Sequence, residues 1–192
     1  MLLCAALGAA TLAPASPAAA WTRPALVAEG GGTFAVLGTL DQGGLSAALS
    51  ALWPVDLGFV APERVRFGVT GFAGDLGASL GPLADPAQPG VDLGTTEVAH
   101  RWARGVAWRM DASLPGRWGW TPVATGTWGL YHVTDDHRGA QIGKTESTGF
   151  SVGGGLRRAL HKNATVGAAL RYHRLFNDTA GRYASAGVEY GW

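Results

Sequence analysis

The chain has 192 residues, a formal net charge of +1 and one cysteine, Cys4, so it holds one domain and no disulfide framework. With no basic run and no patch of interleaved aromatics, a nucleic-acid-binding surface is excluded. Glycine is frequent, 30 residues, about twice average usage, and lies inside alternating segments, which argues for twisted or closely packed strands over helices.

Residues 1–20, MLLCAALGAATLAPASPAAA, read as a secretory signal peptide with cleavage before Trp21. Cys4 follows Leu2 and Leu3 but has no hydrophobic region before it, so it makes a poor lipoprotein signal. No later stretch approaches the ~18 consecutive apolar residues of a membrane-spanning helix. Any membrane span must therefore be built from strands.

Residues 21–32 read as a short lead-in, because Pro24 and the glycines break regular patterns. The barrel domain is expected over 33–192. Its first strand is TFAVLGTL from Thr33, followed by the turn Asp41-Gln42-Gly43-Gly44 and a second strand over Leu45 to Trp53. A third strand follows from Arg64 to about Asp75, with Val65, Phe67 and Val69 on one face and Arg66 on the other. The prolines at 82, 86 and 89 make 77–94 read as a long loop.

Strand four, Thr95 to Leu114, carries Val98, His100, Trp102, Val106, Trp108, Met110 and Ala112 on one parity, and Glu97, Arg101, Arg109 and Asp111 on the other. Arg104 breaks the apolar side. Strand five, about Trp118 to Val133, sets Trp120 and Trp128 on one parity eight residues apart, a spacing that suits the two aromatic girdles flanking a ~25 Å apolar band. Trp53, Trp102 and Trp108 complete the girdle candidates. Residues 134–146 read as a second loop. Strand six runs from Ser147 to Leu160 with Arg157 on its polar face, and strand seven from Ala164 to Phe176 with Arg171 and His173 on its polar face.

The last segment, Arg182 to Trp192, alternates Trp192, Tyr190, Val188, Ala186 and Ala184 against Gly191, Glu189, Gly187, Ser185 and Tyr183. Eight alternating segments, a signal-like start and a terminal aromatic together resemble the small eight-stranded bacterial outer-membrane β-barrels, the group that includes the OmpA barrel and OmpX. The resemblance is architectural and covers the whole mature chain. It implies an all-β, antiparallel, up-and-down transmembrane barrel in the outer membrane of a Gram-negative-type bacterium. It implies outer-membrane lipids as partners and a barrel-assembly machinery that reads Trp192, Tyr190 and Val188. It brings no cofactor and no enzyme signature.

With the apolar parities outward, Arg66, Glu97, Arg101, Arg109, Asp111, Arg157, Arg171, His173 and Glu189 point into a lumen only wide enough for side chains. Counting a protonated His173, six cations face three acids, which implies water or small anions among them. A structural or surface-interaction role through the loops is the expectation. The alternatives are a porin-like channel for small solutes, a membrane-embedded lipid-modifying enzyme, and a soluble lipocalin-like barrel with its faces inverted. His132, Asp135, Asp136 and His137 have the chemistry of cation ligands, but their spacing fits no defined metal site. His173 has Leu175 where a strand histidine-serine motif would place serine, leaving Ser185 on strand eight as the candidate hydroxyl to approach it across the barrel.

Overall fold

The computed structural model describes residues 23–35, 43–61, 64–84, 92–137, 140–161, 164–176 and 182–192, with the side chains of 35, 78–99, 137, 140 and 142 outside the description. Eight strands run β1 Ala25–Ala35, β2 Gly44–Pro54, β3 Val65–Ala84, β4 Asp92–Ser113, β5 Trp120–His137, β6 Ala140–His161, β7 Ala164–Leu175 and β8 Arg182–Gly191. Each pairs antiparallel with its sequence neighbours, and β8 pairs with β1 to close the barrel.

The registers fix the barrel's shape. Following partners from Ala25 through Leu52, Gly68, Arg109, Thr127, Ser151, His173 and Tyr183 returns to β1 at Ala35, ten residues further along. Eight strands with that stagger tilt by about 40° and enclose a backbone cylinder of about 8 Å radius. Closing so small a cylinder brings backbones together where β1 meets β8. There Gly31 stands opposite Gly187, and a Cβ on Gly31 would collide with the Ala186 carbonyl oxygen and the Gly187 Cα.

Outward residues form apolar strips. On β8 the strip is Tyr190, Val188, Ala186 and Ala184 before Arg182; on β7 it is Val166, Ala168, Leu170 and Tyr172 before Arg174; on β4 it is Ala112, Met110, Trp108 and Val106 before Arg104. From Tyr190 to Arg182 is eight residues, about 26 Å along the strand and, with the tilt, about 20 Å in height. Arg104 therefore does not interrupt the apolar face. It marks the upper edge of it, and Trp102 lies beyond.

Several sequence expectations are corrected. The lead-in over 21–32 is, from Ala25, the first strand: Pro24 stands just before it, and Gly30, Gly31 and Gly32 lie within the β1–β2 and β1–β8 ladders. Residues 36–40, expected in that strand, lie outside the described residues; the described part of the strand runs to Ala35. The loops expected over 77–94 and 134–146 are largely strand. β3 continues to Ala84 and β4 begins at Asp92, with register shifts at Asp75/Gly77 and Pro82/Ala84 absorbing the irregular residues. β5 and β6 pair out to His137 and Ala140. These extensions rise beyond the apolar strips, where glycine, proline and polar residues interrupt the sequence and the alternation that betrays a strand is lost. At the opposite end, Arg117 to Trp120 forms a tight turn with positive φ at Trp118 (53°) and Gly119 (78°), the signature of a type I′ hairpin turn.

Replacing Gly31 by Val is expected to destabilise the barrel by about 1–3 kcal/mol in urea unfolding. Gly30→Ala, whose added Cβ would meet nothing closer than the Ser46 carbonyl at 4.0 Å, should leave the midpoint nearly unchanged.

Candidate functional site

The lumen is filled in layers, read from the end where β1 begins and β8 ends toward the end carrying the long hairpins. The first layer is ionic. Arg109 Nε donates to Asp111 Oδ1 at 2.8 Å, its Nη2 donates to Glu189 Oε1 at 2.9 Å and its Nη1 to Ser50 Oγ at 3.0 Å. Arg157 donates through Nε to Glu189 Oε2 at 2.8 Å and through Nη2 to Asp111 Oδ2 at 2.6 Å. Arg171 Nη2 donates to Glu189 Oε1 at 2.9 Å, and its Nη1 pairs with Glu29. Glu29 also lies 3.5 Å from Arg109 Nη1. Thr125 and Thr70 complete the shell, through Asp111 and Ser50.

Charge explains why the layer is tolerable. Arg109 and Asp111 are each 1 % exposed and Glu189 3 %, and buried ions are stable only when paired and hydrogen-bonded. Three arginines, Arg109, Arg157 and Arg171, face three carboxylates, Glu29, Asp111 and Glu189. The cation excess expected from sequence therefore does not hold for this network, because Glu29, expected in the lead-in, lies on β1 and adds a third carboxylate. β1 places it inward, directly opposite Glu189, with arginines between the two carboxylates. A glutamate at alternating spacing from Val27 and Thr33 was the available signal; the Gly30-Gly31-Gly32 run masked it.

Above the ions sit His173 and Ser185, with His173 Nε2 and Ser185 Oγ 2.8 Å apart. The imidazole stacks on Tyr183, centroids 4.3 Å apart and planes 6° off parallel. Next comes an apolar and aromatic layer of Leu76, Ala103, Tyr131, Val133, Leu175 and Tyr183, with Phe72 packed against it. Phe72 meets Tyr131 edge-on at 6.3 Å, a favourable quadrupole geometry. Beyond this layer Arg101 makes a two-point pair with Asp135, Nε to Oδ1 at 2.6 Å and Nη2 to Oδ2 at 2.9 Å.

Of the lumen residues expected from sequence, Arg109, Asp111, Arg157, Arg171 and Glu189 meet in one network. Arg101 stands apart at the hairpin end. His173 stands above the network with Ser185. Arg66 lies on β3 opposite Asp111 in register, half-buried and outside the network's hydrogen bonds. Glu97 is on β4, but its side chain lies outside the description. Trp53, Trp102, Trp108, Trp120 and Trp128 all face outward. Trp108 stands opposite Trp128 across β4 and β5 and stacks on Phe67 at 5.5 Å. Tyr190 lies 5.7 Å from Trp192, and Val188 is two residues further up the same outward strip. The cluster His132, Asp135, Asp136 and His137 does not converge: Asp135 turns inward to Arg101, while His132 and Asp136 lie on the outward parity. The side chain of His137 is outside the description.

Removing one member of the ionic layer should be far more damaging than removing a pair at the rim. Glu189→Ala leaves three arginines facing two carboxylates and is expected to lose about 3–5 kcal/mol in lipid-based urea unfolding. Asp135→Asn, at a part-exposed pair, should lose about 1 kcal/mol or less.

No family model matches the chain, and no curated protein matches it. Among solved structures it is similar to Neisserial surface protein A (NspA), with 14% identity and a TM-score of 0.58 over 88% of this chain and 94% of that one. Weaker likenesses are the N-terminal β-barrel domain of Pseudomonas aeruginosa OprF (12% identity, TM-score 0.47, 88% and 98% covered) and the outer membrane enzyme PagL (16% identity, TM-score 0.46, 87% and 97% covered). At these identities the likeness is one of fold. The chain has the closed, antiparallel, eight-stranded fold of the small outer-membrane β-barrels.

Proposed function

We propose that the protein is an integral outer-membrane barrel with a structural or surface-interaction role and a plugged lumen. The observation that carries this reading is the opposite polarity of its two faces. The outward strips on β4, β7 and β8 hold four apolar residues each before the first charge, and the inward face holds the ion pairs. In a bilayer that arrangement satisfies the lipid and the buried charges together. A soluble barrel with the same faces would leave Val106, Leu130 and Val188, each about two-thirds exposed, in water across a continuous apolar wall.

The plug argues against transport. Ionic and aromatic layers lie in series, and each joins opposite walls. Catalysis is unsupported as well: Ser185 is buried, and His173 Nδ1 has no hydrogen-bond partner, so no acid orients the imidazole toward a nucleophile. Activity is left to the exterior, where the β3–β4 hairpin extends ten residues past Trp102 to Asp92 and offers an interaction surface. Export through segment 1–20 and insertion through the strand ending Val188, Tyr190 and Trp192 belong to the same reading, as do lipid contacts along the wall.

The protein, refolded into lipid vesicles, is expected to migrate differently on SDS gels before and after boiling, and to require lipid or detergent to do so. In planar bilayers it should give no resolved channel openings. Folding as a monomer in buffer alone would overturn the membrane reading, and steady openings would overturn the plug.

A further inference from the structure

Arg174 and Arg182 occupy directly opposed positions where β7 pairs with β8. Their sequence neighbours His173 and Tyr183 point into the lumen, so both arginines point outward, and both are exposed. Side chains directly opposite in an antiparallel pair have Cβ atoms about 4.5–5.5 Å apart, and like charges there repel. Among the described residues neither arginine has a carboxylate partner; Arg174 lies over the ring of Phe176, 5.8 Å from its centroid.

The position of this pair gives the repulsion a meaning. The next outward pairs toward the chain-terminal end are Tyr172 opposite Ala184, Leu170 opposite Ala186, Ala168 opposite Val188 and Val166 opposite Tyr190. Two guanidinium groups thus cap a lane of apolar and small residues at its upper edge. Together they offer up to ten N–H donors, and a phosphate accepts such donors two at a time. A phosphate held between them would cancel the repulsion, while acyl chains attached to it would lie along the lane.

We infer that the Arg174–Arg182 pair binds the phosphate of a membrane lipid whose acyl chains run down the outer face of β7 and β8. This rests on the membrane reading above. Arg104, at the same edge on β4, has His132 and Glu146 as successive register partners, so it lacks a second cation opposite it and forms no such clamp.

The test uses the purified full chain refolded in detergent, titrated with phosphorylated lipid A, dephosphorylated lipid A and inorganic phosphate. The wild type is expected to bind the phosphorylated lipid about tenfold or more tightly than the dephosphorylated one, as charge-assisted hydrogen bonds allow. The double variant Arg174→Gln/Arg182→Gln should lose that preference, and Arg104→Gln should keep it. Equal binding of the two lipids by the wild type, or an unchanged preference in the double variant, would overturn the site. Binding of inorganic phosphate alone, lost in the double variant, would overturn the lipid as its source. The gel shift on boiling is read in every sample. A shift without the lipid preference sinks the site alone, and no shift in the wild type sinks the membrane reading. Should the double variant fail to fold, Arg182→Gln alone leaves the Arg174–Phe176 contact in place and is read in the same way.

Discussion

Glu189 accepts hydrogen bonds from three arginines on three other strands, Arg109 of β4, Arg157 of β6 and Arg171 of β7, and the rest of the interior is arranged around that requirement. A cylinder of about 8 Å radius leaves no room for bulk water between its walls. Any charge inside must find its partner among the other side chains of the lumen. The network does so with three cations and three anions, joining β1, β4, β6, β7 and β8, and through Ser50 and Thr70 also β2 and β3. Antiparallel ladders tie each strand to its neighbours; the pairs of Arg109 and Arg157 with Glu189, of Arg157 with Asp111 and of Arg171 with Glu29 tie strands that are not neighbours. Buried ion pairs are weak evidence of net stability against an apolar alternative, but breaking one is costly. They therefore constrain which closed arrangement forms.

The exterior answers a different solvent. Four apolar residues per strand, a tilt of about 40° and the first outward arginines at a common edge define a band about 20 Å tall, near the apolar height of outer-membrane barrels. The aromatic layer of Phe72, Tyr131 and Tyr183 above the ions closes the lumen a second time. On the proposed reading of a plugged lumen, partners are left the outward wall and the hairpins beyond it.

Much of this was legible in the chain, because a strand with one face in lipid and one in a charged lumen alternates strongly. The parities of Trp102 to Asp111 and of Ala184 to Trp192, and the placing of Arg157 on the polar face of strand six, agree with the faces these side chains take. Legibility failed where alternation carries no contrast. Gly30, Gly31 and Gly32 look like a linker in sequence, yet all three lie within the β1 ladders and Gly31 is the one that the close approach of β1 to β8 demands; the run hides Glu29 as well. Residues 134–146 and much of 77–94 are polar or irregular on both faces because they rise out of the band, so they read as loops while hydrogen bonding keeps them as strands. Arg104 looked anomalous only while the band's edge was unknown. Once the register places it at the same edge as Arg174 and Arg182, it obeys the rule it seemed to break.

The central claim is that the apolar parity faces lipid while the ionic parity is sealed inside. The most direct measurement is the collision accessibility of nitroxide labels on single cysteines at Val106, Val152, Leu170 and Val188, in a Cys4→Ser background, with the protein in lipid vesicles. All four should be accessible to oxygen, which partitions into the bilayer, and shielded from a water-soluble nickel chelate. Labels that are instead immobile and shielded from both reagents would place these side chains in a protein core. That result would contradict the account, because the barrel would then be turned inside out.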